Sequence, residues 1–137
     1  MDKQEIFNTV ATHLFTQGKP SIVEGRCKYR APDGCRCAAG CLIPDSISDE
    51  DIADIEGKRA EVMIRRLNLD HLVPYNGFIN KLQDVHDGDE SQSNMPQLMI
   101  RDETWRTTDN MRAALRAVAK QYAIDDNILD TLKFADR

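Results

Sequence analysis

The chain has no G-x-x-x-x-G-K-[ST] loop, no G-x-G-x-x-G after a strand, no H-E-x-x-H and no G-x-S-x-G. The phosphate-cradling loop, the dinucleotide turn, the paired zinc histidines and the serine elbow are therefore absent as motifs. No apolar stretch approaches the roughly 20 residues that span a bilayer. The opening Met1-Asp2-Lys3-Gln4-Glu5 lacks the basic start and apolar run of a secretory leader. A cytoplasmic protein with no membrane partner is the expectation. Positive charge is also scarce: Lys and Arg number 18 against 23 Asp and Glu, a formal charge of -5. Nonspecific nucleic-acid binding depends on neutralising phosphates, so nucleic acid is disfavoured as a partner. No repeat and no composition shift divides the 137 residues. A chain of this length can bury a core without disulfide staples, and one domain over residues 1–137 is expected.

All four cysteines fall between Gly25 and Asp45. Within that unit Pro32-Asp33-Gly34 carries the signature of a tight turn with glycine at the left-handed position. The reading predicts a small antiparallel β-hairpin near residues 26–38. Pairing Ala31 with Cys35 puts Tyr29 opposite Cys37. One face then carries Cys27, Tyr29, Cys35 and Cys37, and the other carries Arg26, Lys28, Arg30 and Arg36. Ala38 to Ile43 is small and apolar, suited to a helical turn or a buried extended piece, and Pro44 closes it.

The rest reads as mainly α, a helical domain of about five to seven helices. Ile6, Phe7, Val10, Leu14 and Phe15 recur at helical spacing over Asp2 to Gln17, and Gly18 ends the run. Ser48 caps a helix carrying Ile52 and Ile55, which Gly57 interrupts. Helices are also expected over Arg59 to Leu69, from Asn76 or Gly77 to about Asp87, over Met95 to Arg106, over Asn110 to Tyr122 with Thr108-Asp109 as the cap, and from Asp125. The run Gly88 to Asn94 has no apolar residue and reads as a mobile loop.

The thiol spacing is C-x7-C-x-C-x3-C, whereas structural zinc sites present ligands in C-x2-C to C-x4-C pairs. Cys27, Cys35, Cys37 and Cys41 form a candidate tetrathiolate, and zinc is the candidate cofactor. The competing reading is four buried thiols acting as small hydrophobes; a disulfide is disfavoured by a reducing compartment. His13, His71 and His86 lie in separate segments, with no motif linking them to a nucleophilic thiol. Asp84-Val85-His86-Asp87-Gly88-Asp89-Glu90 offers oxygen and nitrogen ligands for a divalent metal but lacks the EF-hand spacing. His86-Asp87 alone is too short a match to the metal phosphohydrolases. The plainer reading is a polar helix end entering a solvated loop. Arg26, Lys28, Arg30 and Arg36 are candidate partner-binding residues, unless they meet this chain's own acids Asp45, Asp49, Glu50 and Asp51. Trp105 is a core residue or an interface anchor.

Glu5-Ile6-Phe7, His13-Leu14, Cys27-Lys28-Tyr29-Arg30, the run Gly34 to Pro44 and Leu82-Gln83-Asp84-Val85-His86-Asp87 together resemble small uncharacterised accessory proteins of phages and prophages, over about the first two thirds of the chain. The resemblance implies a context and carries no activity, cofactor or site. The expected function is a non-enzymatic protein that binds and inhibits or redirects a host protein, with counter-defence of the anti-CRISPR kind as one version. A zinc-binding or metal-dependent module is the alternative, followed by nucleic-acid binding through the basic face.

Overall fold

Apolar residues at helical spacing build α1 (Lys3–Gln17), the first element of a computed structural model that describes residues 1–88 and 105–134. Asp2 caps it. Its carboxylate accepts the Glu5 N–H at 2.9 Å, and the Glu5 side chain accepts the Asp2 N–H, so two donors that precede any helical partner are satisfied. Gly18 closes the helix at φ 67°. Strands β1 (Ile22–Val23) and β2 (Arg26–Cys27) pair antiparallel, with Ile22 opposite Cys27. A 3-10 turn at Gly40–Leu42 leads to α2 (Asp49–Ile55) and α3 (Ala60–Arg66), and a second at Asp70–Tyr75 leads to α4 (Asn76–Asp87). Then come α5 (Thr108–Gln121) and a 3-10 turn at Asn127–Asp130. The described residues thus form a mainly α structure with five α-helices and one small β-hairpin, the fold class expected.

The core lies where α1, α4 and α5 meet. Phe7, Val10 and Leu14 of α1, Ile79, Leu82 and Val85 of α4, and Met111 and Leu115 of α5 are fully buried. Each such side chain contributes about 1.5–3 kcal/mol by leaving water. The stripes that seat α1, α4 and α5 are those their periodicity marks.

The hairpin sits upstream of its expected place. Its turn is Glu24-Gly25, with both residues at positive φ, 54° and 77°, the backbone a two-residue hairpin requires. The Pro32-Asp33-Gly34 turn also forms: Ala31 N–H donates to the Cys35 carbonyl at 2.9 Å, and Gly34 has φ 90°. Its arms do not pair. The N–H groups of Tyr29 and Arg30 donate to the two Glu56 carboxylate oxygens at 2.7 and 3.3 Å. Arg36 N–H donates to Gln17 Oε1 at 2.8 Å, and the Arg36 carbonyl accepts from Gln17 Nε2 at 3.0 Å and from the His13 ring at 2.8 Å. Helix side chains take the bonds that a strand ladder would have used.

Several boundaries differ from the reading by a turn or less. α3 stops at Arg66 because Asn68 turns left-handed at φ 57°. The cap of α5 is Thr107, whose hydroxyl accepts the Asn110 N–H at 3.2 Å. The segment from Asp125 winds as a 3-10 turn. The polar run after Gly88 and most of the helix expected over Met95 to Arg106 lie outside the described residues; Trp105 and Arg106 are non-helical.

Candidate functional site

On α4, Gln83, His86 and Asp87 stand three and four residues apart, so helical geometry gathers them on one face. That face meets the cysteine unit. Gln83 Nε2 lies 3.0 Å from Cys27 Sγ and 2.9 Å from Asp87 Oδ1, while Gln83 Oε1 accepts the Ala39 N–H at 2.9 Å. His86 is 0% exposed. Its Nε2 accepts the Ser21 N–H at 3.0 Å and its Nδ1 lies 2.9 Å from Asp87 Oδ1. The Ser21 hydroxyl lies 2.8 and 3.1 Å from the Lys28 and Cys35 carbonyl oxygens.

Trp105 and Arg106 close the end of α4. Trp105 Nε1–H donates to the His86 carbonyl at 2.7 Å and Arg106 Nε–H to the Val85 carbonyl at 2.8 Å. The Trp105 ring meets the His86 ring edge-on at 5.9 Å and stacks on Phe134 at 5.5 Å.

The two segments singled out in the sequence, the cysteines and His86-Asp87, therefore converge. One ligand atom each from Cys27, His86 and Asp87 falls within 4.8 Å of the others. The hydrogen bonding decides what they can do. A backbone N–H can only donate, so the Ser21 contact fixes His86 Nε2 as an acceptor. The neutral ring then carries its proton on Nδ1 and donates it to Asp87. Turning the ring over would set carbon against both partners. No lone pair on His86 is left for a metal, nor is one left to draw a proton from Cys27 as a general base would. Contact with Cys37, then burial, pushes the Cys27 thiol well above its ordinary range, the opposite of an activated nucleophile. The donors are close, but their lone pairs do not fit a metal site.

The four cysteines do not form a tetrathiolate group among the described residues. Cys27 and Cys37 adjoin. Cys35 lies beside Lys19 and Asp33, its thiol raised by burial. Cys41, in the Gly40 turn and packed against the core, donates its Sγ–H to the Ala38 carbonyl at 3.1 Å, and burial raises the thiol to about 12. None of the four is joined in a disulfide. The inward set expected on the hairpin is present in another form: Tyr29, Cys35 and Cys37 are buried and Cys27 is half-buried.

The four basic candidates divide. Arg30 donates to Asp49 and to the Ile47 carbonyl, each at 2.9 Å. Arg36 reaches Asp45 at 2.6 Å. These two meet the chain's own acids. Arg26 is exposed and Lys28 half-buried. The residues that seat the unit, Gln17, Ser21, Glu56 and Gln83, were not marked by the sequence reading. For Gln83 a signal existed, since it shares the helical face of Ile79 and Leu82.

Comparison with protein-family models, with curated proteins and with solved structures finds no match to this chain. No helix among the described residues is long and apolar enough to cross a membrane.

Proposed function

We propose that this chain is a non-enzymatic binding protein of the phage accessory kind, which attaches to a host protein in the cytoplasm and inhibits or redirects it. One observation carries the reading. The irregular segment from Ser21 to Ala39 is held by side chains of α1, α4 and the end of α2, and it displays two tight turns, Glu24-Gly25 and Pro32-Asp33-Gly34. A loop surface ordered before it meets its partner loses little entropy on binding. The chemistry-bearing groups beneath it are engaged with one another, which suits a support for that surface. Inhibition of a host defence component is the specific version of this role.

Affinity capture from host lysate, followed by reconstitution of the captured protein with the purified chain, tests the reading. A stoichiometric complex with submicromolar Kd is expected. Turnover of a substrate by the purified chain, or failure to form any stoichiometric complex, overturns it.

A further inference from the structure

A cavity of about 590 Å³ opens between the Gly40–Leu42 turn, Thr9 of α1 and His71 of the second 3-10 turn. Its lining includes none of Cys27, His86 and Asp87. The volume is one that small organic ligands occupy. Leu42, Ile43, Pro44 and Met1 give the cavity an apolar side, with Ile43 buried and Pro44 and Met1 exposed. Cys41 extends that side: burial keeps its thiol neutral to about pH 12, so it packs as a small hydrophobe. Arg36 and Asp45 supply opposite charges at the same place. The walls are set in advance. Gln17 holds the Arg36 N–H and carbonyl at 2.8 and 3.0 Å. Gly40 lies so close to Tyr29 that a Cβ on it would stand 2.1 Å from the Tyr29 carbonyl oxygen, and the Ile43 N–H donates to the Gly40 carbonyl at 3.1 Å. A ligand entering here has little protein to order.

The two charges differ in how firmly they belong to the cavity. The Arg36 side chain is 26% exposed and that of Asp45 87%. Their contact runs through one carboxylate oxygen, Asp45 Oδ1, at 2.6 Å, and Arg36 Nη1 stands 3.5 Å from the Ile43 carbonyl. A guanidinium has five donors in a planar fork that fits a carboxylate bidentately, so the pair leaves donors over. Asp45 can swing into water at little cost, since so exposed an ion pair contributes little. Arg36 stays, its backbone clamped to α1. The charge built into the cavity is therefore positive, and the one at its edge is replaceable. We infer that this cavity binds a small carboxylic acid with an aliphatic or aromatic body, its carboxylate on the Arg36 guanidinium in place of Asp45 and its body against Leu42, Ile43 and Pro44. The inference stands apart from the binding reading above, since no host protein takes part in it.

Titration of the full chain with hexanoate, hexanol and hexylammonium, followed by amide chemical shifts, tests it with one aliphatic body and three head groups. Hexanoate is expected to shift the amides of Arg36, Cys41, Leu42, Ile43 and Asp45 with a Kd at or below about 1 mM, a modest affinity for so small a probe. Hexanol and hexylammonium are expected to bind at least about tenfold more weakly, because neither can accept from the guanidinium as a charged partner. Arg36→Gln should weaken hexanoate about tenfold. Asp45→Asn changes an exposed side chain and removes the competing carboxylate, so it should tighten hexanoate about threefold. Lys120→Gln, at an exposed site on α5, should leave the affinity within about twofold. Hexanol or hexylammonium binding as tightly as hexanoate overturns the inference. So does an absence of shifts at these amides, equal losses in Arg36→Gln and Lys120→Gln, or an Asp45→Asn chain that binds hexanoate no more tightly than the wild type. If Arg36→Gln fails to fold, Asp45→Asn and the three head groups decide.

Discussion

In α1, α4 and α5 the backbone donors bond along the helix and the apolar stripes do the seating. Between Ser21 and Ala39 the N–H groups of Ser21, Tyr29, Arg30, Arg36 and Ala39 instead find the side chains of His86, Glu56, Gln17 and Gln83. The contrast lies in how stability is distributed. The helical frame spreads it over many apolar contacts, each replaceable by a neighbour of similar volume. The cysteine unit concentrates it in a few polar atoms, and removing one leaves a partner without water or protein to bond.

The largest expected effect is at His86. His86→Ala strands the buried Ser21 N–H, takes one of the two donors from Asp87 Oδ1 and opens a cavity, and it should cost about 4 kcal/mol in chemical denaturation. Leu115→Ala in the frame should cost about 3 kcal/mol by cavity formation alone. His86→Gln keeps a carbonyl acceptor and should recover part of the loss. A cost for His86→Ala of well under half that for Leu115→Ala would erase the distinction between the two regions.

Gly40 comes next. A Cβ there would lie 2.1 Å from the Tyr29 carbonyl oxygen, a clash with backbone that only movement of the unit relieves. Gly40→Ala should cost about 3 kcal/mol. Gly77→Ala, where a Cβ meets nothing within 4 Å, should be neutral or slightly stabilising in thermal unfolding.

Two glutamines of α1 sharpen the comparison. Gln17 bonds both backbone polar groups of Arg36 at 2.8 and 3.0 Å in a part-buried setting, and Gln4 bonds both backbone polar groups of Asp125 at 2.9 Å in an exposed one. Gln17→Ala should cost about 2 kcal/mol and Gln4→Ala about 0.5, since water replaces only the exposed bonds. Equal losses would mean that burial is not what gives the unit its sensitivity.

Alkaline pH should act on the unit more than on the frame. Cys27, Cys41 and Tyr29 all ionise at higher pH folded than unfolded, Cys27 chiefly through Cys37 and the other two through burial. Above about pH 8.5 the unfolded chain loses thiol protons that the folded chain keeps. Stability is therefore full below that pH and falls as pH rises towards about 12, where folded Cys41 ionises. Melting temperature measured from pH 7 to 10.5 should decline, and Cys41→Ser should flatten the decline.

Much of the frame was legible because its cause is local. Phe78, Ile79, Leu82 and Val85 repeat at helical spacing, Ser48 stands where a cap belongs, and Pro32-Asp33-Gly34 turns as its residues dictate. The site was legible only in halves. The cysteines and His86-Asp87 stood out separately, yet nothing periodic joins Cys27 to Gln83, 56 residues on, or Tyr29 to Glu56, 27 residues on. The hairpin turn was missed because Glu24 has a side chain that disfavours positive φ. The fates of Arg30 and Arg36 were visible as an alternative, since Asp45 and Asp49 lie a few residues beyond the unit.

The protonation of the His86 ring decides whether the converged residues support a surface or hold a metal. Nitrogen-15 NMR of His86 at neutral pH, with and without added zinc, should show a protonated Nδ1 and an Nε2 with a pyridine-type shift, both unchanged by the metal. A pyridine-type Nδ1 whose signal moves on addition of one equivalent of zinc would contradict it and make the converged residues a metal centre.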